Sequence, residues 1–310
     1  MSDGAPPLGL PAGINVLERG WLSSNNILIQ GEANTTLIDS GYGTHAAQTL
    51  ALVKASLHDR PLDVLLNTHL HSDHCGGNAT LQAAYPRLQT LIPGGQAHWV
   101  RAWNVHALGF APTGQICPCF VFDDVLQPGA ELLLGDMMWQ VHAAPGHDPH
   151  SVILFEPGSR LLVSADALWE RGFGVVFPEL DGKDAFDEVA DTLDLIESLK
   201  PSMVIPGHGQ PFTDIAPALA VARQRLNGFK ASPQRHLQHA AKVLLKFKLL
   251  DAQRLTHAEL TLWANSTPYL QRMVEQLFAD LPFEQSLGKL VQDLVKAGVA
   301  SWNGDLLQNA

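Results

Sequence analysis

The stretch Asn67-Thr68-His69-Leu70-His71-Ser72-Asp73-His74-Cys75-Gly76-Gly77-Asn78 places three histidines and an aspartate within six residues. The run before it, Asp63 to Thr68, is apolar and turns polar at its end, the pattern of a short buried strand. The Gly76-Gly77 pair after it marks a turn into a helix. The cluster is therefore predicted on a loop at the C-terminal end of a strand, where α/β sheets place their chemistry. Imidazoles and carboxylates at this density are the ligands of a divalent metal.

Three later stretches share a form: a strand end, a turn, then a residue able to bind metal. They are Ala143-Ala144-Pro145-Gly146-His147-Asp148, Leu162-Val163-Ser164-Ala165-Asp166-Ala167 and Val204-Ile205-Pro206-Gly207-His208-Gly209. Glycine before histidine lets the backbone turn sharply and present the imidazole at the sheet edge. Taken singly, a histidine at a strand end is most often a hydrogen-bonded surface residue, and Asp166 serves equally well as a helix cap. Taken in order behind the first loop, they supply five histidines and two aspartates. A two-metal hydrolytic site needs a set of that size.

Between these loops the chain reads as alternating short strands and helices. Ile14 to Leu17, Asn26 to Gly31 and Thr35 to Gly41 are strands, the last two joined as a hairpin, and a helix runs to Leu57 with Thr44 as its expected cap. Further strands are expected at Leu88 to Ile92, Glu131 to Leu134, Met138 to Ala143, Ser151 to Phe155, Arg160 to Ser164 and Met203 to Ile205, with a helix over Asp184 to Leu199. Residues up to Ala12 read as a loose arm, and Asn104 to Asp124 as a long irregular loop of the kind that carries function. Several neighbouring strands join by hairpins, which predicts two mixed sheets covered by helices rather than a doubly wound parallel sheet. From Ile215 the pattern is nearly all helix, at 215–229, 234–249, 256–264, 267–279 and 284–297, followed by a small hairpin with an Asn303-Gly304 turn. A boundary near Ala231-Ser232-Pro233 divides a catalytic domain, 1–230, from a helical domain, 231–310.

Composition narrows the classes. The formal charge of −11 makes a bare polyanion an unlikely partner, although bound cations reverse the sign locally. The acidity lies before the tail. From Lys230 on, 9 Lys and Arg face 7 Asp and Glu, against 11 and 24 before it. Three cysteines, Cys75, Cys117 and Cys119, do not make a disulfide framework and fit a reducing compartment. Met1 to Pro7 lacks the basic start and apolar run of a signal peptide, and no stretch approaches the roughly 20 apolar residues of a membrane helix. The expectation is a cytoplasmic protein with no membrane partner.

The run from Thr68 to Asn78 contains every element of Thr-His-x-His-x-Asp-His-x-Gly-Gly-Asn, and in this the chain resembles the glyoxalase II-like branch of the metallo-β-lactamase superfamily. The resemblance covers residues 14 to 215 and implies an αββα four-layer sandwich, an α/β (α+β) fold, with the metal site at one edge. It implies that His69, His71 and His147 hold one metal, that Asp73, His74 and His208 hold a second, and that Asp166 bridges them. It implies two divalent ions, zinc by default for a histidine-rich site, with iron or manganese compatible. A bridging hydroxide would cleave a small-molecule ester, thioester or lactone, with Asp73 orienting the nucleophile. The tail is similar to the winged-helix-like segment appended to some members. It is not basic enough to bind nucleic acid, and covering the active site or forming a homodimer is its expected job.

The chain departs from the glyoxalase II-like pattern after His147, where Asp148-Pro149-His150-Ser151 replaces Thr-x-Gly-His. Lys242, Lys246 and Lys248 read as a solvated helix face rather than a glutathione-binding cluster, and His236 and His239 likewise as a solvated face. Cys75 reads as a small buried residue. His106 and His150 are candidates for the pocket, as are Trp103, Phe110, Phe120, Trp169 and Phe173. Three other functions compete: a mononuclear iron dioxygenase acting on glutathione persulfide, a phosphodiesterase or nuclease of the same fold, and a non-catalytic binding protein. The complete ligand set opposes the last, and no basic channel supports the nuclease.

Overall fold

The computed structural model describes residues 9–58 and 60–310, so most of the expected arm, and the segment compared with a signal peptide, lie outside the described residues. The first sheet contains β1 (Ile14–Leu17), β2 (Asn26–Gln30), β3 (Thr35–Ile38) and, after α1 (Ala46–Leu57), β4 (Val64–Leu66). The short α2 (Ser72–Cys75) and α3 (Asn78–Ala84) lead to β5 (Gln89–Pro93), α4 (Ala97–Ala102) and β6 (Asp124–Leu126). These six strands lie in chain order, antiparallel from β1 to β3 and parallel from β3 to β6. The second sheet holds β7 (Glu131–Leu134), β8 (Met137–Ala143), β9 (Val152–Glu156), β10 (Leu161–Ala165) and, after α5 (Phe177–Leu180) and α6 (Phe186–Leu199), β11 (Met203–Pro206). Its order is β11-β10-β9-β8-β7, with only β10 and β11 parallel.

Side-chain alternation makes the four layers. Along β2, Ile27 and Ile29 point inward and meet Trp139, Val141, Leu154 and Val163 of the second sheet. Leu28, between them, points outward and packs with Val53 and Leu57 of α1 and Leu81 of α3. On the far side, Ile153, Phe155, Leu162 and Val204 are covered by Val189, Leu193 and Ile196 of α6 and by Leu219, Ala222 and Leu226 of α7 (Ile215–Ala231). Strands covered on both faces have no polar side to show, so β9 and β10 are mainly apolar, Glu156 and Ser164 being the exceptions, and are buried throughout. Each wholly buried aliphatic side chain contributes about 1.5–3 kcal/mol. The sandwich expected from the sequence is the fold observed.

Beyond α7 come α8 (Pro233–Ala252), β12 (Arg254–Thr256), α9 (His257–Asn265), α10 (Pro268–Leu277), α11 (Phe283–Lys296), β13 (Ala300–Asn303) and β14 (Leu306–Asn309). Their apolar faces close on a core of their own, with Leu244, Leu270, Leu290 and Leu307 among its members. Val175 enters this core from the segment between β10 and α5, and Phe177 and Leu180 pack against it. Helix α9 starts on a capping box, in which the Thr256 hydroxyl accepts from the Glu259 N–H and the Glu259 carboxylate accepts from the Thr256 N–H. Strands β6 and β12 were not read from the sequence, because β6 starts at the end of the irregular stretch 104–124 and β12 runs directly into α9. Thr44 does not cap α1. It lies in a 3-10 turn, and its hydroxyl reaches Asp251 of α8 at 3.3 Å. Among the described residues no helix is long and apolar enough to cross a membrane.

Candidate metal centre

Strands β4, β8, β10 and β11 end on one edge of the sandwich, and each end carries one of the four loops singled out above. Backbone hydrogen bonds join them. Ser24 N–H donates to Asp73 O at 3.0 Å, Asn25 N–H to Gly207 O at 2.7 Å, Val152 N–H to Thr68 O at 2.9 Å and Gly207 N–H to Ala165 O at 2.7 Å. The two glycines before histidine act differently. Gly146 has φ +128, which a side chain rarely adopts, whereas Gly207 is needed for room, since a Cβ there would lie 2.1 Å from Asp166 Oδ1.

All seven sequence candidates converge there. His69, His71 and His147 form one group, and Asp73, His74, Asp166 and His208 a second, with the ligand-type atoms of each within 4.8 Å of one another. His69 Nε2 lies 3.1 Å from His71 Nδ1 and 3.3 Å from His147 Nε2. In the second group His208 Nε2 lies 3.1 Å from Asp73 Oδ2, and His74 Nε2 lies 3.6 Å from Asp166 Oδ1. Asp166 Oδ2 faces both groups, 3.5 Å from His147 Nε2 and 3.8 Å from His208 Nε2.

The partners of the outer ring nitrogens set the tautomers. His147 Nδ1 lies 2.6 Å from Val175 O, a carbonyl, and therefore carries the proton. The Thr68 hydroxyl donates to Asp39 Oδ2 at 2.8 Å, so it accepts from His69 Nδ1–H at 3.2 Å. His74 Nδ1 meets Asp39 Oδ2 at 2.7 Å and His208 Nδ1 meets Gly20 O at 3.1 Å. The inner Nε2 atoms of neutral His69 and His147 are then bare lone pairs facing each other. That contact is repulsive by itself and becomes two bonds when a cation sits against it. His74 Nε2 is buried with no hydrogen-bond partner and points at two carboxylates. The donor set thus fits divalent metal ions, with nitrogen and oxygen ligands fixed from behind.

The electrostatics divide the same way. Burial, with His74 and His71 adding to it, pushes His69 well below its ordinary value, and burial with His71 lowers His147 to about 4. Burial also opposes charge on His74, yet Asp39, Asp166 and Asp73 outweigh it and raise that ring well above the ordinary value. Burial likewise opposes charge on Asp166, but His208 and His74 hold its carboxyl well below the usual range. The first group is neutral nitrogen. The second mixes imidazole with carboxylate and supplies the negative charge that two cations need.

Asp39 was not among the sequence candidates. It is buried and accepts three hydrogen bonds, from Thr68 N–H at 2.9 Å, the Thr68 hydroxyl and His74 Nδ1–H. Its signal was available, because an aspartate directly after the strand Thr35-Thr36-Leu37-Ile38 has the same form as Asp166 directly after β10. Trp169 was named only as a pocket candidate, yet its indole N–H donates to Asp166 Oδ1 at 3.1 Å.

A cavity of about 800 Å³ opens over the site between the sandwich and the tail, lined by Trp21, Phe110, Trp169, Phe177, Phe247 and Tyr269 among others. Two pocket candidates, Phe110 and Trp169, line it, whereas Trp103 and Phe120 pack with Cys75, which is buried, and Phe173 packs with Phe229. His150 lines it and His106 is exposed. Two readings of α8 are corrected. His236 is buried, not solvated, because α8 turns that face toward Phe186 and Phe229. His239 is half-buried beside Phe229. Lys242 and Lys246 lie on the cavity wall with Arg171 and Arg225. The Lys246 ammonium is held by Val299 O and Asn309 Oδ1, whereas Arg171, Arg225 and Lys242 make no ion pair among the described residues.

Comparison with known proteins agrees with this geometry. A hydroxyacylglutathione hydrolase of Anaeromyxobacter dehalogenans is 29% identical over 224 residues, covering 70% of this chain and 76% of that protein. Another hydroxyacylglutathione hydrolase, from Xanthomonas axonopodis pv. citri, is 28% identical over 231 residues, covering 72% and 75%. The crystal structure of a beta-lactamase domain protein from Burkholderia ambifaria superposes with a TM-score of 0.61 at 19% identity, covering 100% of this chain and 97% of that one. A protein solved in a di-iron-bound form has a TM-score of 0.52 at 26% identity, covering 67% of this chain and 98% of that one. The sequence profile of the Metallo-beta-lactamase superfamily matches residues 19–208, the span that carries all four loops. The chain is a member of the metallo-β-lactamase superfamily.

Proposed function

We propose that this protein is a binuclear metallohydrolase that cleaves a thioester, with an ester or lactone as the nearest alternatives, and that the thiol part of its substrate is anionic. The observation that carries the reading is the pair of ligand groups sharing Asp166, with bare imidazole nitrogens turned toward each other. His69, His71 and His147 would hold one ion, Asp73, His74 and His208 the other, and Asp166 both. Divalent ions held by these residues would supply Lewis acidity, lowering the pKa of bound water toward neutrality and polarising the substrate carbonyl. Zinc is the default for five imidazoles, and iron or manganese suits the carboxylates. The relative solved in a di-iron-bound form makes iron a metal to measure.

The chain's own groups supply the rest. Asp73, partly exposed and bonded to His208, is placed to orient the attacking water from the cavity side. The Trp169 N–H holds one oxygen of Asp166 and leaves the other turned to both groups. Phe177 lies edge-on to His71 and Trp21 is stacked on His208, at 4.7 and 5.4 Å between ring centroids, and the two rings give the site an apolar rim. Arg171, Arg225 and Lys242, which make no ion pair among the described residues, put positive charge on the cavity wall for an anionic thiol. Two relatives named as hydroxyacylglutathione hydrolases support a thioester of that kind.

The test is elemental analysis of the purified protein followed by assay against a panel of thioesters, lactones and phosphodiesters. The reading expects two ions per chain, hydrolysis of anionic thioesters abolished by a chelator, and a raised KM in Lys242→Ala and Arg171→Ala with kcat little changed. One iron per chain with oxygen uptake, or cleavage confined to phosphodiesters, would overturn it.

A further inference from the structure

One buried histidine of the tail touches the metal centre through a single peptide group. The Val175–Val176 peptide presents its carbonyl oxygen to His147 Nδ1 at 2.6 Å and its N–H to His236 Nε2 at 3.1 Å. We propose that His236 is a positioning residue for the metal centre: from helix α8 it holds the peptide that orients and polarises the His147 ring. The inference rests on the assignment of His147 as a ligand.

Three features of the surroundings support it. The segment runs so close to His147 that a Cβ on Gly174 would lie 2.3 Å from its Nδ1, so glycine is required for the approach. The same segment is tied to the centre twice more, through Gly174 N–H donating to Asp166 O at 2.9 Å and Phe177 N–H donating to His147 O at 3.2 Å. Its other side belongs to the tail, since Val175 is buried in the tail core and Phe177 packs against that core. Helix α8 therefore supplies an acceptor at the point where the loop between β10 and α5 leaves the sandwich.

The chemistry of His236 suits the task. Burial among Phe186 and Phe229, with His239 nearby, lowers it to about 4, so at neutral pH its ring is uncharged. The Val176 N–H requires Nε2 to be the bare nitrogen, with the ring proton on Nδ1. An acceptor on the N–H side of a peptide increases the negative charge on its carbonyl oxygen, because hydrogen bonds in a chain polarise one another. That oxygen then draws more strongly on His147 Nδ1–H, fixes the ring plane and makes Nε2 a better donor to a metal. Losing a partner bonded directly to a ligand costs about 10–100-fold in metal affinity, and His236, which acts through the peptide that bonds His147, contributes less than that.

Two variants separate this role from simple packing. His236→Phe keeps a ring among Phe186 and Phe229 and removes the acceptor. His236→Gln keeps an acceptor of similar reach. In each full-length protein, zinc affinity is measured by competition with a chromogenic chelator, and hydrogen exchange of the Val176 amide is measured on the chelator-treated protein. The expected result is faster Val176 exchange in His236→Phe, with zinc binding measurably weakened, by less than the about 10–100-fold that loss of a directly bonded partner costs, and both properties restored in His236→Gln. Zinc affinity unchanged in His236→Phe overturns the proposal, as does an equal loss in both variants, which would mean that the site tolerates only histidine packing. If the unaltered protein binds no zinc, iron or manganese, the ligand assignment itself fails. That result is read on the unaltered protein alone and cannot be confused with a failure of His236.

Discussion

Asp39→Asn isolates what a buried carboxylate contributes from behind the metal. Asp39 has φ +57, and asparagine is among the few residues that adopt this conformation readily, so the substitution adds little backbone strain. The damage is confined to hydrogen bonding. Asp39 Oδ1 accepts from Thr68 N–H, and Oδ2 accepts from the Thr68 hydroxyl and His74 Nδ1–H. An amide has one accepting oxygen, so its NH₂ must face either Thr68 N–H or the pair on Oδ2, and a donor meets a donor either way. The loss combines a charge-assisted hydrogen bond with a buried donor left unsatisfied, for a total of about 3–5 kcal/mol. That corresponds to a fall in Tm of roughly 10 °C for a domain of this size. Under the proposed assignment the second group is affected first, because Asp39 bonds His74 directly and reaches His69 of the first group only through the Thr68 hydroxyl. Affinity there falls by about 10–100-fold, and the first group loses less. Differential scanning fluorimetry and elemental analysis after dialysis against a weak chelator read the two effects, with an expected change from two ions per chain to one. A variant that holds both ions as tightly as the parent, or melts at the same temperature, would refute the assignment of Asp39 as the group that fixes His74.

Two further expectations follow from burial and crowding. His236 and His239 are each lowered to about 4 in the folded chain against 6.5 unfolded, so between those values the unfolded state binds more protons and stability falls as pH drops. The loss by pH 5 is about 2 kcal/mol for His236 and less for the half-buried His239. Urea midpoints of the chelator-treated protein at pH 7 and pH 5 should therefore converge in His236→Gln relative to the parent, and an unchanged pH dependence would contradict the buried neutral ring. The glycines before the two histidines should fail differently. In Gly146→Ala a Cβ lies 2.6 Å from Val189 Cγ2 at φ +128, which costs about 2–5 kcal/mol in urea unfolding. In Gly207→Ala the Cβ displaces Asp166 and weakens metal binding more than it weakens the fold. The opposite ranking would show that the turn geometry has been misassigned.

The parts of this protein legible in its sequence are those encoded by neighbouring residues. Strands covered on both faces are mainly apolar, so β9 and β10 were legible from the runs Val152-Ile153-Leu154-Phe155 and Leu161-Leu162-Val163. Four loops at strand ends carried residues of ligand type, so all seven positions in the two groups could be named before any coordinate. The tail helices were legible too, because an apolar stripe at helical spacing is local.

Whatever depends on partners distant in the chain was not legible. Asp39 reaches His74 across 35 residues, Val175 reaches His147 across 28, Gly20 reaches His208 across 188 and His236 reaches Val176 across 60. A helix pattern states which residues share a face but not what that face meets. The solvated reading of His236 failed for that reason, and only the docking of α8 on the sandwich turned it toward the loop that carries Val175 and Val176. The sequence determined which residues of metal-binding type the chain carries and where it presents them. The tertiary structure decided which nitrogen of each ring faces inward, because that choice belongs to the group behind the ring, and the fold brings that group from elsewhere in the chain.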